Sequence, residues 1–233
     1  RQRQMCIRDS YGFLPVDKAA FKGEIPEIRN MVPFAPFDFY IKRKLYIHNM
    51  GHATCAYLGD LLGYEYIYQS IDVPEIRVLV QNAMLESAVA LHKKYDVELG
   101  GIVLHIQDLL HRFTNAALKD TCARVGGDPG RKLSPADRLI GSASLAIAQG
   151  ETPAYIAVGA AAGLRRYIAE AEGMEQGMDS AKKVLKEVSE LDEGSKLAAM
   201  ILEMYALILE GKTIRELLKA ADEVKAAAAC RVI

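Results

Sequence analysis

A mainly α-helical body entered through a short extended segment is what the sequence predicts, on three observations. Apolar residues recur at steps of three and four over long windows, as Ile76, Leu79, Val80, Met84 and Val89 do. Helix-start signals recur along the chain: Asp72 with Glu75, Ser134-Pro135 with Asp137, Thr152-Pro153, and Thr213 with Glu216. Four of the eight prolines fall in residues 11–36, where short apolar runs alternate with turns.

Residues 11–36 therefore read as extended segments and loops. Phe37 to about Leu62 reads as a helix with a break near Gly51, because glycine is the residue that permits one there. Asp72 and Glu75 have the spacing of a capping box and should open a long helix ending near Tyr95. Ser134-Pro135 with Asp137 marks a further start, and Thr152-Pro153 another, since proline is tolerated in a first helical turn. Thr213 and Glu216 should cap a last helix whose Ile214, Leu217, Leu218, Ala221 and Val224 form one face. The run Ala157-Val-Gly-Ala-Ala-Ala-Gly163 lacks bulk, which predicts close approach between helices.

Composition sets outer bounds. At 233 residues, with 51% hydrophobic residues and a formal charge of −1, the chain suits one large soluble domain or two small ones. Its cations are dispersed, so neither nucleic acid nor an anionic membrane is expected as a partner. Cys6, Cys55, Cys122 and Cys230 lie far apart, which fits a reducing cytoplasm better than a zinc ribbon or a disulfide scaffold. Neither an apolar run long enough to span a bilayer nor a secretory signal is present.

The segment Lys44-Leu-Tyr-Ile-His-Asn49-Met-Gly-His52 carries the candidate chemistry. Steps of five and three turn through about 500° and 300° on an α-helix, so an amine, a carboxamide and an imidazole converge only if the helix bends or ends. On residue types alone the three are either a surface cluster or a proton-transfer site. In a proton-transfer site the lysine takes the proton and the neutral polar groups hold the oxygen. His48 and His52 have zinc spacing, but a zincin needs glutamate after the first histidine and the chain has Asn49, so no metal is expected. Arg124, Arg131, Lys132 and Arg138 put four cations in fifteen residues. They could hold a phosphate, or form a solvated loop paired with Asp128 and Asp137. The glycines at 126, 127 and 130 lack the order of a dinucleotide fingerprint, and His92, His105 and His111 read as structural or solvent-facing.

The Lys44-x4-Asn49-x2-His52 pattern resembles the signature of the polyol-specific long-chain dehydrogenases. The flanking segments Asp17-Lys-Ala-Ala-Phe21-Lys22-Gly23, Gly51-His-Ala-Thr-Cys-Ala-Tyr-Leu-Gly59, Arg112-Phe113-x-Asn115, Leu118-Lys-Asp120 and Arg124-Val-Gly-Gly-Asp-Pro-Gly-Arg131-Lys132-Leu-Ser narrow it to the mannitol-1-phosphate 5-dehydrogenase branch. The likeness spans residues 17–225 and covers that family's second half. It implies a multihelical C-terminal substrate domain, similar to that of 6-phosphogluconate dehydrogenase, over residues 11–233.

It further implies a Rossmann domain, absent here, that would precede this one in cis and bind NAD(H), with mannitol 1-phosphate and fructose 6-phosphate interconverted without a metal. Lys44 would be the general base, helped by Asn49 and His52. Arg124 and Lys132 would contact substrate, and Arg131 or Arg138 the phosphate. The lysine would need burial or neighbouring cations to work near neutral pH. A free-polyol or hexuronate enzyme shares the signature, and a stand-alone helical sugar-phosphate-binding module is the reading from another class. Residues 1–10 depart from the pattern and are expected to be a truncation edge or an assembly artefact. The chain alone is expected to be inactive.

Overall fold

The computed structural model describes residues 14–230, so the opening decapeptide lies outside the described residues. The chain divides into two compact units, the first ending at Lys42 and the second beginning at Arg43. In the first, β1 (Leu14–Asp17) pairs in parallel with β2 (Met31–Phe34), Leu14 facing Met31 and Asp17 facing Phe34. The Asp17 carboxylate accepts the Ala19 N–H at 2.9 Å and turns the chain out of β1. Phe34 meets Tyr40 edge to face at 5.1 Å. These two strands are the extended segments expected in this region.

The short helix α1 (Asp38–Arg43) crosses the boundary and runs into a π-helical turn, Lys44–Asn49. The second unit then continues as α2 (Met50–Leu61), α3 (Ile67–Ile71), α4 (Pro74–Tyr95), α5 (Leu99–Phe113), α6 (Cys122–Gly126), α7 (Pro129–Lys132), α8 (Ile140–Ala148), α9 (Ala154–Glu170), α10 (Met178–Glu187), α11 (Lys196–Leu209) and α12 (Ile214–Ala229). At its centre is α9, which packs against α2, α4, α11 and α12. Its small residues make that possible. A Cβ added at Gly159 would stand 2.3 Å from Thr54 Oγ1, and one at Gly163 would stand 3.0 Å from the Tyr57 ring. The first approach excludes even a methyl group and the second leaves almost no room for one, as the alanine and glycine run predicts. Tyr57, Ile47, Met50, Leu79, Met84 and Tyr205 fill the core around this helix.

The chain differs from the sequence reading at three helix boundaries. Helix α2 runs straight through Gly51; the irregular turn comes earlier, over Lys44–Asn49. Gly51 is needed for packing instead, since a Cβ there would lie 2.7 Å from the Met84 side chain. Asp72 does not cap α4, because it already terminates α3, and Val73 followed by Pro74 opens the helix. Residues 133–139 form turns, and α8 starts only at Ile140. There the Asp137 carboxylate is taken by Arg131 and Arg138 rather than by helix N–H groups. The other two starts hold: Ala154 follows Pro153, and Thr213 and Glu216 make the reciprocal capping box of α12. Among the described residues no helix is long and apolar enough to cross a membrane.

One buried carboxylate ties three helices together. Glu86 on α4 is 5% exposed and accepts the Tyr155 and Ile156 N–H groups, at 3.3 and 3.0 Å, at the start of α9. The ammonium of Lys225 on α12 stands 3.4 Å from it and also donates to the Thr152 carbonyl at 2.9 Å. Burial pushes the Glu86 carboxyl up to about 7, against the opposing pull of Lys225 and the two amides. Because the folded value exceeds the unfolded one, this group stabilises the fold fully below pH 4.5, and that contribution disappears as pH rises through about 7. Glu86→Gln is expected to abolish this slope in urea titrations between pH 5 and 8. Glu86→Ala should cost about 2–3 kcal/mol at pH 7, since it orphans two buried N–H groups.

Candidate active site

The π turn solves the geometric problem posed by the five-residue step. The Met50 N–H reaches back five residues to the Leu45 carbonyl as well as to Ile47. Such i to i+5 bonding needs a wider turn of about 80° per residue, so Lys44 and Asn49 end about 40–50° apart rather than about 140°. The α-helical step of three then brings His52 back by about 60°. Lys44, Asn49 and His52 therefore share one face, and the apolar Tyr46, Ile47 and Met50 between them are buried. Lys44 itself is exposed, so the burial expected around its amine is not supplied by the described residues of this chain.

The imidazoles beside it are kept neutral. His48 is lowered to about 4 by burial first, then by the Arg112 and Lys44 charges, with Asp120 opposing. His52 is lowered to about 4, by burial and then by His48, against the pull of Asp120. His105 on α5 is likewise lowered to about 4, by burial and by Arg43. The His48 and His52 rings lie 6.1 Å apart, and Phe113 stacks on His52 at 4.7 Å with the planes 15° apart.

His52 Nε2 stands 3.5 Å from Asp120 Oδ2. That nitrogen is buried without a hydrogen bond, and a neutral ring makes the contact polar rather than ionic. Asp120 also pairs with the Arg124 guanidinium. His52, Arg112, Phe113, Asn115 and Asp120 line a small cleft of about 10 Å³, room for a single water molecule.

The second cationic group is divided by burial. Thr121 caps α6 by accepting the Arg124 N–H at 3.1 Å, and the Arg124 side chain is 64% exposed. Asp128, in the left-handed region at φ 56°, opens α7 with Pro129. This turn carries Lys132 inward to 3% exposure. Burial first, then Arg138 and Arg131, lower its amine to about 8. Arg131 is held by Asp128 at 2.6 Å and Asp137 at 3.4 Å, and Arg138 by Asp137 at 2.7 Å. Both guanidinium groups thus have carboxylate partners, the ion-paired arrangement that the sequence left open beside phosphate binding.

Sequence reasoning passed over Asp120 and Phe113, although both lie in quoted family segments. Among the described residues no group of three histidine, cysteine or acidic side chains could hold a metal ion. Gly126, Gly127 and Gly130 sit in and between two short helices, without the strand, glycine loop and helix order of a dinucleotide site.

The multihelical fold, with an amine, an amide and neutral imidazoles near a cation-rich turn, is of the helical class of domain and not of the dinucleotide-binding class. The profile of the mannitol dehydrogenase C-terminal domain matches residues 37–224, and the chain belongs to that family. It is 38% identical over 204 residues to a mannitol-1-phosphate 5-dehydrogenase of Caldanaerobacter subterraneus, covering 85% of this chain and 52% of the relative. It is 33% identical over 211 residues to the enzyme of that name from Thermoanaerobacter pseudethanolicus, covering 81% of this chain and 54% of the relative. The chain therefore spans about half the length of these curated relatives.

In fold it resembles the mannitol 2-dehydrogenase of Pseudomonas fluorescens, solved as a ternary complex with NAD and D-mannitol. The TM-score is 0.61 at 17% identity, over 83% of this chain and 43% of that one. A substrate-free D-sorbitol dehydrogenase is similar at a TM-score of 0.57 and 18% identity, over 82% of this chain and 42% of that one.

Proposed function

We propose that this chain is the C-terminal substrate-holding part, over residues 11–233, of an NAD-dependent mannitol-1-phosphate 5-dehydrogenase. The observation that carries the reading is the π turn that sets Lys44, Asn49 and His52 on one helical face. Lys44 takes the proton of the substrate hydroxyl, Asn49 holds the oxygen as it becomes a carbonyl, and His52 binds the substrate through its remaining ring nitrogen. NAD, when bound, supplies the acceptor for the hydride leaving the same carbon. The products are fructose 6-phosphate, NADH and the proton on Lys44.

Arg124 and Lys132 hold the polyol chain, and the lowered amine of Lys132 suits hydrogen bonds to neutral hydroxyls. Arg131 or Arg138 contacts the phosphate, since a guanidinium carries five N–H donors and the aspartate partners take only one or two of them. A preceding nucleotide-binding domain in cis would cover Lys44 and provide the desolvation that the described residues of this chain do not.

The test is NADH oxidation with fructose 6-phosphate, fructose or a hexuronate, by this chain alone and by the longer polypeptide read from its own locus. The longer polypeptide should turn over fructose 6-phosphate and leave fructose largely untouched, and this chain alone should turn over neither. Equal use of fructose and fructose 6-phosphate would favour the free-polyol alternative. A start codon near residue 11 with no upstream coding segment would favour a stand-alone binding module.

A further inference from the structure

We propose that Asp120 is a positioning residue that fixes the ring of His52 and the guanidinium of Arg124 against one another. This rests on reading those two side chains as substrate contacts. Its two oxygens are divided between them: Oδ1 takes Arg124 Nη2, and Oδ2 faces His52 Nε2 at 3.5 Å. Asp120 is well placed to do this because its own backbone is anchored. Its carbonyl accepts the Ile67 N–H at 2.9 Å, and the next residue, Thr121, bridges to Tyr66.

The imidazole has few alternatives. Phe113 stacks on one face, so the ring turns only by exchanging its two edges. A carboxylate only accepts hydrogen bonds, and a neutral imidazole carries its one proton on either Nε2 or Nδ1. With the proton on Nδ1, the Nε2 lone pair would face Oδ2, two negative regions in a buried space. With the proton on Nε2, that N–H points to the carboxylate and Nδ1 remains as a fixed acceptor. Asp120 therefore selects the Nε2–H tautomer of His52. A small tightening of the 3.5 Å contact makes it a hydrogen bond, while the same side chain holds the Arg124 guanidinium.

Long-range nitrogen–proton correlation NMR of the 233-residue chain at pH 7 reads the tautomer directly, with His52→Gln assigning the signal. The native chain should show His52 protonated on Nε2. Asp120→Asn should move it toward a mixture of tautomers while the backbone amide spectrum stays native. Arg124→Ala, a change at an exposed side chain, should leave the tautomer unchanged.

A native His52 protonated on Nδ1, or an Nε2–H signal unmoved by Asp120→Asn in a folded chain, would overturn the proposal. If Asp120→Asn does not fold, the native spectrum alone decides. No turnover is needed for any of these readings, so a failed dehydrogenase assay and a failed tautomer assignment remain separate results.

Discussion

Lys44→Met in the longer, NAD-binding polypeptide should lower kcat for fructose 6-phosphate reduction by about 10²–10⁴-fold, the range for losing a positioned general acid or base. The substitution keeps the side chain's length and removes its proton-carrying nitrogen. Because Lys44 is exposed and the neighbouring Tyr46 and Ile47 do the packing, folding stability should change by less than about 0.5 kcal/mol. Unfolding and activity therefore separate cleanly in this variant. Added methylamine should restore part of the rate by serving as the missing base. Lys132→Met provides the contrast, since Lys132 is buried and assigned to binding; it should raise KM more than it lowers kcat. The reverse pattern, with Lys44→Met nearly active and Lys132→Met inactive, would transfer the base role to Lys132.

Acidification from pH 7 to pH 4 should unfold the helical unit. His48 and His52 both titrate at about 4 when folded, against 6.5 when unfolded. A depressed folded value gives stability that is present above pH 6.5 and is lost as pH falls through about 4. The two coupled rings together represent up to roughly 7 kcal/mol, a large share of the 5–15 kcal/mol typical of a whole domain. His105 adds to this in the same direction, while Glu86 opposes it by at most about 3 kcal/mol between pH 7 and 4.5. Circular dichroism against pH should show a cooperative transition between pH 5 and 4. In His48→Gln it should shift to lower pH. A helical signal unchanged down to pH 4 would mean that these imidazoles charge without penalty.

What was legible in the sequence was local. The Thr213 and Glu216 capping box and the Thr152-Pro153 start could be read because the interacting atoms lie within one turn of each other. The alanine and glycine run announced a tightly packed helix because small side chains have few other uses in such a pattern. The Lys44, Asn49 and His52 group was visible as a motif, but the turn that aligns it was not. Six residues of i to i+5 bonding leave no periodic trace. Nor could hydropathy tell that Lys132 is the buried lysine and Lys44 the exposed one. Asp120 and Phe113 reach His52 from more than sixty positions along the chain, where only tertiary packing makes the connection. Asp72 and Asp137 misled for one shared reason: each had the spacing of a cap but a stronger claim elsewhere, from a preceding helix or from two arginines.

The widened turn has one more consequence, for how this stretch of polypeptide tolerates change. Replacing Leu45 or Tyr46 by another apolar residue alters only how the wall behind the reacting groups is filled. Deleting either and relaxing to ordinary winding would leave four steps of about 100°, the same turn of about 400° that five wide steps cover, so the amine would keep its bearing on the amide and the imidazole. The pitch of this turn, more than the number of residues in it, fixes where the amine points.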